Sequence, residues 1–197
     1  ILTTDAGFDQ EPLAAGPVYF WKSINWNYMT ELDPGIDGRS IPWPRGKVLG
    51  GSSAINGMMY MRGHRADYDG WAALGLKGWS YKEVLPFFLK SEDHIGRDGP
   101  YHAKGGPLRV ERSRGEHPIY RDFLAAGLAC GFKANDDFNG ADQEGLGLFD
   151  FNIRNGRRES TSTAFLRPAR NRQNLEVMTG AFAERLIFME GRAVAVE

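Results

Sequence analysis

The residue types best suited to chemistry are concentrated between residues 46 and 57. Four glycines in this segment let backbone N–H groups approach a phosphate or a flat ring closely, because they carry no Cβ. Ser52, Ser53 and Asn56 add side-chain donors. The apolar pairs Ala54-Ile55 and Met58-Met59 predict a buried helix just after the turn, and a helix N-terminus attracts anions. The pattern indicates either an anion or ring-ligand site or a plain turn capped by serine.

Three better-known motifs do not fit this segment. The Walker phosphate loop needs a lysine after its last glycine, but Ser52 follows Gly51. The dinucleotide fingerprint G-x-G-x-x-G occurs nowhere in the chain. The hydrolase elbow G-x-S-x-G is missed by one residue, because Ala54 stands where its last glycine belongs. A hydrolase using Ser52 or Ser53 remains an alternative without an assigned base.

Other chemistry-bearing residues give weaker signals. Asp5 follows an apolar strand-like run, as a ribose-binding carboxylate does in a Rossmann domain. The four histidines show no metal-ligand spacing to one another or to Cys130, so no metal site is predicted. Arg62 and Arg65 are predicted to belong to a solvated face.

Composition limits the function classes. With 24 Lys+Arg and 25 Asp+Glu, the net charge of −1 argues against nucleic-acid binding. Cys130 is the single cysteine, so an internal disulfide is excluded, and its apolar neighbours predict a small buried side chain. No apolar run reaches the roughly 18 residues of a membrane span. We expect a cytoplasmic protein, with peripheral membrane association as the alternative. The chain opens inside an apolar run without methionine, which predicts an internal piece of a longer protein.

The secondary-structure signals are mixed, so the predicted class is α/β (α+β mixed). Ser80 and Glu83 have capping-box spacing and predict a helix start. A second helix is predicted from Pro118 to a stop at Gly131. Strands are predicted at 108–110 and 175–179, and a hairpin around Glu190-Gly191.

The segment 44–60 closely resembles the first signature of the glucose–methanol–choline (GMC) oxidoreductases. Further matching pieces follow in order, and together they extend over essentially the whole chain: Arg62-Gly63, Asp67-Tyr68-Asp69, Gly78-Trp79-Ser80-Tyr81, Asp137-Phe138-Asn139-Gly140, Gly156-Arg157-Arg158, Phe165-Leu166-Arg167-Pro168-Ala169 and Thr179-Gly180-Ala181. These pieces resemble the choline-dehydrogenase-like members of the family.

The resemblance implies a Rossmann-like FAD-binding domain beside a substrate domain built on an antiparallel sheet, truncated at both ends. Residues 1–62 and 160–197 would belong to the FAD-binding domain. Residues 63–159 would form a lid and part of the substrate-binding domain. The residues implied to contact FAD are Asp5, Ala6, Val48, Gly51, Ser52, Asn56, Gly57, Met58, Met59 and Ala183.

The implied activity is oxidation of a primary alcohol to an aldehyde by hydride transfer to flavin N5. Ile55 stands where some choline oxidases carry the histidine that attaches FAD, so FAD is predicted to be non-covalent. A small-molecule alcohol would be the substrate, and a quinone or O2 the electron acceptor, with a dehydrogenase favoured over an oxidase. The family's catalytic histidine lies beyond this sequence, so no catalytic residue is assigned. The alternative is a flavin-free, inactive fragment acting as a binding or structural module.

Overall fold

The computed structural model describes residues 22–113 and 117–197. The strands are, in chain order, β1 (Tyr28–Met29), β2 (Pro42–Trp43), β3 (Met59–Tyr60), β4 (Glu92–Ile95), β5 (Leu108–Arg112), β6 (Asp150–Phe151), β7 (Ile153–Arg154), β8 (Arg157–Arg158), β9 (Leu186–Met189) and β10 (Arg192–Val196). The α-helices are α1 (Arg65–Ala73), α2 (Tyr81–Ser91), α3 (Pro118–Ala129) and α4 (Arg167–Ala169). Short 3-10 turns lie at Pro34–Ile36 and Gly51–Ala54, and one π-helical turn lies at Ser162–Leu166.

The chain separates into two compact units. The loop unit comprises residues 22–57 and 160–197, and the sheet unit comprises residues 58–159. Assigning these units to FAD-binding and substrate-binding domains stays a prediction. Helices and strands occur together, which confirms the mixed α/β class.

The sheet unit is organised around a four-stranded sheet in the order β3-β6-β5-β4. β3 pairs with β6 and β6 with β5 in antiparallel fashion, whereas β4 and β5 run parallel. In that parallel pair Glu92 lies opposite Leu108 and His94 opposite Val110. Because side chains alternate along a strand, Glu92 and His94 share one face of the sheet.

The two predicted helix starts are confirmed. At the start of α2, the Glu83 carboxylate accepts hydrogen bonds from the backbone N–H of Ser80 at 3.1 Å and from its hydroxyl at 2.6 Å. These bonds hold the pKa of Glu83 below its ordinary value. α3 begins at Pro118 behind the cap residue His117, and Gly131 follows its end with φ of 89°. Local signals of this kind depend on residues within one helical turn of each other.

The hairpin prediction is also confirmed, since β9 and β10 pair antiparallel around Glu190 and Gly191. The strand predicted at 175–179 is wrong, because these residues form no strand. A strand exists only where a neighbour supplies a hydrogen-bonded ladder, and within the described part of the chain this segment has no such neighbour.

Two further predictions need correction. Ala54-Ile55 and Met58-Met59 do not open a buried helix: the turn ends as a short 3-10 helix at Ala54, and Met59 begins β3. Cys130 is exposed at the C-terminal cap of α3 rather than buried. None of the described helices is long and apolar enough to cross a membrane.

Candidate functional site

The glycine–serine loop, residues 46–57, is held at its entrance by backbone pairing in the loop unit. The N–H of Lys47 donates to the carbonyl of Ile24 at 2.7 Å, and the N–H of Trp26 donates to the carbonyl of Arg45 at 2.9 Å. The Asn25 side-chain oxygen accepts the N–H of Arg45 at 3.0 Å. Three hydrogen bonds therefore fix where the chain enters the loop.

Apolar residues anchor the loop on both sides of its turn. Val48 lies before the turn, and Ala54 and Ile55 lie after it. All three are buried and form one core cluster with Ile24. The loop between them cannot slide without exposing this cluster, which makes residues 49–53 a turn clamped at both ends.

The turn requires glycine at specific positions. A Cβ on Gly46 would lie 2.1 Å from the carbonyl oxygen of Gly51, which is backbone that no rotamer change can move. Gly50 and Gly51 adopt φ of 90° and 54°, conformations that other residues rarely adopt. The clustering of glycines seen in the sequence is thus a geometric requirement of this turn.

The loop presents an open polar face. A Cβ on Gly51 would meet nothing within 4 Å, so a flat or phosphate-bearing group has room to approach the backbone there. Ser52 and Asn56 are exposed on the same loop. The Ser52 hydroxyl accepts the N–H of Gly46 at 3.2 Å, which leaves its own proton available to a ligand. These features fit the pyrophosphate and ring system of FAD.

A cavity of about 350 Å³ lies beside the loop. One side is formed by Leu49, and the rest by residues of the segments 162–170 and 175–179. The side chains of Arg167 and Arg170 make part of its lining polar and basic. The loop unit therefore offers both a turn and an adjoining space of ligand size.

The structure brings together only part of the predicted FAD set. Val48, Gly51, Ser52, Asn56 and Gly57 lie on the loop, although the Val48 side chain is enclosed in the core and only its backbone is available. Met58 is buried and Met59 exposed, and both belong to the sheet unit. Asp5 and Ala6 lie outside the described residues.

Ala183 is exposed in the loop unit. The preceding residue, Phe182, contacts a ring that also contacts the glycine–serine loop. The Phe182 ring contacts the Trp26 ring edge-on, with centroids 5.5 Å apart. The Lys47 ammonium lies 4.7 Å from the centroid of that same Trp26 ring. Phe182 thus packs against Trp26, whose backbone N–H pairs with Arg45 at the entrance of the loop.

The serine-hydrolase alternative gains no support from the loop. The Ser53 hydroxyl donates to the carbonyl of Gly50 at 2.5 Å. No histidine in residues 22–113 or 117–197 hydrogen-bonds to Ser52 or Ser53, and all four histidines belong to the sheet unit. A nucleophilic serine needs such a base.

A second polar cluster, which the sequence did not predict, lies inside the sheet unit. Glu92 and His94 are fully buried on β4, and His102 returns to them from the following loop. The Glu92 carboxylate accepts from Arg62 at 3.1 Å, from His102 at 3.2 Å and from the N–H of Ala103 at 2.8 Å. Arg62 was predicted to be solvated, but it is only 5% exposed because it pairs with this carboxylate.

The cluster continues on both sides through aspartates. His102 contacts Asp137 at 2.8 Å through its other ring nitrogen. His94 contacts Asp150 at 3.1 Å, and Arg97 donates to the same oxygen of Asp150 at 2.8 Å. Burial raises the pKa of Asp150, but the bonds from His94 and Arg97 outweigh it and lower the pKa overall.

Glu92, His94 and His102 each place a nitrogen or oxygen that could bind a metal ion within 4.8 Å of the others. The two ring nitrogens of His102 face Glu92 and Asp137, and those of His94 face Asp150 and the carbonyl of Ile95. A histidine ligand needs a free lone pair, and every one of these nitrogens faces an acceptor. The Arg62 cation also occupies the Glu92 oxygen. The arrangement is that of a buried ion-pair cluster.

The cluster makes stability depend on pH. Burial lowers the pKa of His102, but its bonds to Asp137 and Glu92 outweigh this and raise the pKa to about 9. The unfolded value is 6.5, so the stabilisation is complete below pH 6.5 and is lost as the pH rises through 9. We expect the protein to lose about 1–3 kcal/mol of unfolding free energy between neutral and strongly alkaline pH.

Urea titrations at pH 7 and pH 10 measure this loss, and a His102→Asn variant should show a much flatter dependence. An equally steep dependence in the variant would mean that other groups cause it.

At the acidic end, burial raises the pKa of Asp137, but the bond from His102 outweighs this effect, so the pKa is lowered. The contribution of Asp137 is therefore lost only as the pH falls through that lowered pKa.

The only sequence signal for the cluster was the i, i+2 spacing of Glu92 and His94 after a helix. Their side-chain partners lie 10 to 56 residues away along the chain. Alternating charges on a strand are ordinarily solvated, so this spacing alone did not indicate burial.

A mixed α/β chain with a glycine–serine turn beside an open cavity is compatible with a protein that binds a nucleotide-like cofactor. The chain belongs to the GMC oxidoreductase family, whose profile matches residues 12–197. The family is FAD-dependent. Oxygen-dependent choline dehydrogenase of Rhizobium etli is 41% identical over all of this chain, and that of Sinorhizobium fredii is 44% identical over 98% of it. The chain spans only 37% and 35% of the length of these relatives.

Solved structures show the same fold. Pyridoxine 4-oxidase from Mesorbium loti superposes with a TM-score of 0.86 at 32% identity, covering 99% of this chain and 38% of that one. An FAD-dependent oxidoreductase from Chaetomium thermophilum gives a TM-score of 0.78 at 25% identity, covering 88% of this chain and 32% of that one.

Proposed function

We propose that the glycine–serine loop binds FAD and that the protein oxidises a primary alcohol to an aldehyde. The observation that carries the proposal is the open face at Gly51, flanked by the exposed donors of Ser52 and Asn56. When bound, FAD supplies the acceptor for the hydride that leaves the alcohol carbon. The loop unit then corresponds to the FAD-binding domain, and the sheet unit to the lid and part of the substrate-binding domain.

The chain's own residues would bind and orient the cofactor. The Ser52 hydroxyl and the Asn56 amide would donate hydrogen bonds, while Gly51 and Gly57 allow close approach of the backbone. Asp5 would accept from the ribose hydroxyls, Ala6 would lie beside it, and Ala183 would contact the adenine through its main chain. Met58 and Met59 would lie against the ring system.

Non-covalent attachment is supported by the position of Ile55. Its side chain is 1% exposed within the core cluster and carries no nucleophile that could form a bond to a flavin. We therefore expect that denaturation releases FAD intact from the loop.

The substrate and the acceptor are proposed from the relatives. Choline dehydrogenases at 41–44% identity favour a small alcohol as the substrate. The names of these relatives specify oxygen dependence, which supports O2 as the acceptor, and a quinone is the other candidate. We place the protein in the cytoplasm as part of the same proposal.

Changing Asn56 to leucine tests the binding site directly. The bulky apolar side chain removes a donor and fills space on the open face, so FAD affinity should fall about tenfold or more. FAD titration monitored by fluorescence quenching measures this change. Asn171→Leu is the matched control, because Asn171 is also exposed in the loop unit but belongs neither to the glycine–serine loop nor to the lining of the adjoining cavity. Equal FAD affinity in the two variants would contradict the proposed site.

A further inference from the structure

Segment 160–162 contacts the glycine–serine loop at the carbonyl of Gly50. This carbonyl accepts the backbone N–H of Ser53 at 3.2 Å and the Ser53 hydroxyl at 2.5 Å. It also accepts the hydroxyl of Thr161 at 3.1 Å, from 111 residues further along the chain. Three donors therefore converge on one oxygen that has two lone pairs, which is an unusually complete restraint for a loop carbonyl.

Thr161 holds the loop by a second bond. Its backbone N–H donates to the Ser53 hydroxyl at 2.9 Å, and that hydroxyl donates onward to Gly50. Thr161, Ser53 and Gly50 thus form a closed ring of hydrogen bonds. Because the Ser53 hydroxyl accepts one bond while donating another, its orientation is fixed rather than rotating freely.

The packing around Gly50 leaves the loop little freedom to move. A Cβ on Gly50 would lie 3.2 Å from the Ser160 hydroxyl and 3.3 Å from Cβ of Ser162. Both serines are buried, at 3% and 4% exposure. They flank Thr161 at the start of the π-helical turn, a feature that often occurs at functional sites.

We propose that Thr161 is a positioning residue for the cofactor loop. By holding the Gly50 carbonyl inward, it fixes the peptide that leads into Gly51 and keeps the open face of the loop ready for a ligand. Thr161 acts through Gly50 and Ser53 and needs no contact with the cofactor itself. The inference rests on the proposed function for its consequence, since a preorganised loop binds flavin more tightly.

The matched variants are Thr161→Val, which keeps the side-chain shape but removes the hydroxyl, and Thr161→Ser, which restores it. Thr30→Val is the control. The Thr30 hydroxyl oxygen accepts the N–H of Ile41 at 2.9 Å, so that variant also loses one side-chain-to-backbone bond in the loop unit, but away from Gly50. Ser53→Ala removes the other hydroxyl of the same hydrogen-bonded ring.

The first measurement is hydrogen–deuterium exchange in the protein as its gene encodes it, without flavin. In Thr161→Val, amides of residues 50–57 should exchange about five to ten times faster, the effect of losing one hydrogen bond. Those of residues 28–43 should be unchanged. In Thr30→Val, the amides of residues 28–43 should exchange faster, and those of residues 50–57 should be unchanged. Thr161→Ser should restore protection of the loop. Unchanged exchange at 50–57 in both Thr161→Val and Ser53→Ala would overturn the proposal.

The second measurement is FAD affinity together with the visible circular dichroism of bound flavin. Thr161→Val should weaken binding about fivefold and alter the dichroism, and Thr161→Ser should restore both. If wild-type protein binds FAD and Thr161→Val binds it equally with an unchanged spectrum, the positioning role is wrong and the proposed function stands. If wild-type protein binds no FAD, the proposed function fails, and the exchange experiment still decides whether Thr161 holds the loop.

Discussion

Replacing Gly46 by alanine is expected to weaken flavin binding strongly. The added Cβ would lie 2.1 Å from the oxygen and 2.5 Å from the carbonyl carbon of Gly51, and 2.9 Å from the backbone nitrogen of Ser52. All three are backbone atoms, so relief requires the turn itself to open. Overpacking of this kind costs about 1–3 kcal/mol or more, and a cost of that size in the conformation that binds FAD corresponds to a loss of affinity of about fivefold to more than a hundredfold.

FAD titration of Gly46→Ala beside Gly70→Ala measures this effect. Gly70 lies within α1 at negative φ, and a Cβ there meets nothing within 4 Å, so its alanine variant should fold and bind as the wild type does. If Gly46→Ala kept wild-type affinity, the described conformation of the loop would not be the one that binds flavin.

Replacing Glu92 by glutamine is expected to destabilise the sheet unit strongly. Glu92 is 0% exposed and accepts hydrogen bonds from Arg62, His102 and the N–H of Ala103. Glutamine has the same shape but no charge, so the Arg62 guanidinium would stay buried without the negative charge that it pairs with. Breaking a buried ion pair in this way costs about 3–5 kcal/mol, a large part of the stability of an ordinary domain.

Urea denaturation measures the loss, with Asp98→Asn as the control. Asp98 pairs with Lys104 at 3.9 Å, but its side chain is 88% exposed. An exposed pair contributes little, so this control should remain within about 0.5 kcal/mol of wild type. If the two variants lost equal stability, burial would not be the source of the energy at Glu92.

The correct sequence predictions share a local origin. The start of α2 at Ser80 and Glu83, the start of α3 at Pro118 and the hairpin at Glu190-Gly191 each depend on a few neighbouring residues. The glycine–serine loop was found for the same reason, because its glycines serve a turn formed within twelve residues.

The incorrect predictions depend on partners far away in the chain. Segment 175–179 has the composition of a strand, but a strand is defined by a neighbour that the composition does not specify. Arg62 is buried because partners far along the chain, Glu92 and the carbonyl of Tyr101, bind its guanidinium. Cys130 lies in an apolar stretch, yet the cap of α3 leaves it exposed. In each case tertiary context, which periodicity does not report, decided the outcome.

The most direct test of the central claim is the visible spectrum of the purified protein, expressed as its gene encodes it. We predict flavin absorbance at one FAD per chain, released intact on denaturation and bleached when a primary alcohol such as choline is added without oxygen. A colourless protein that retains no flavin absorbance after FAD is added and the unbound FAD is removed would contradict the account. It would leave a GMC fold without its cofactor.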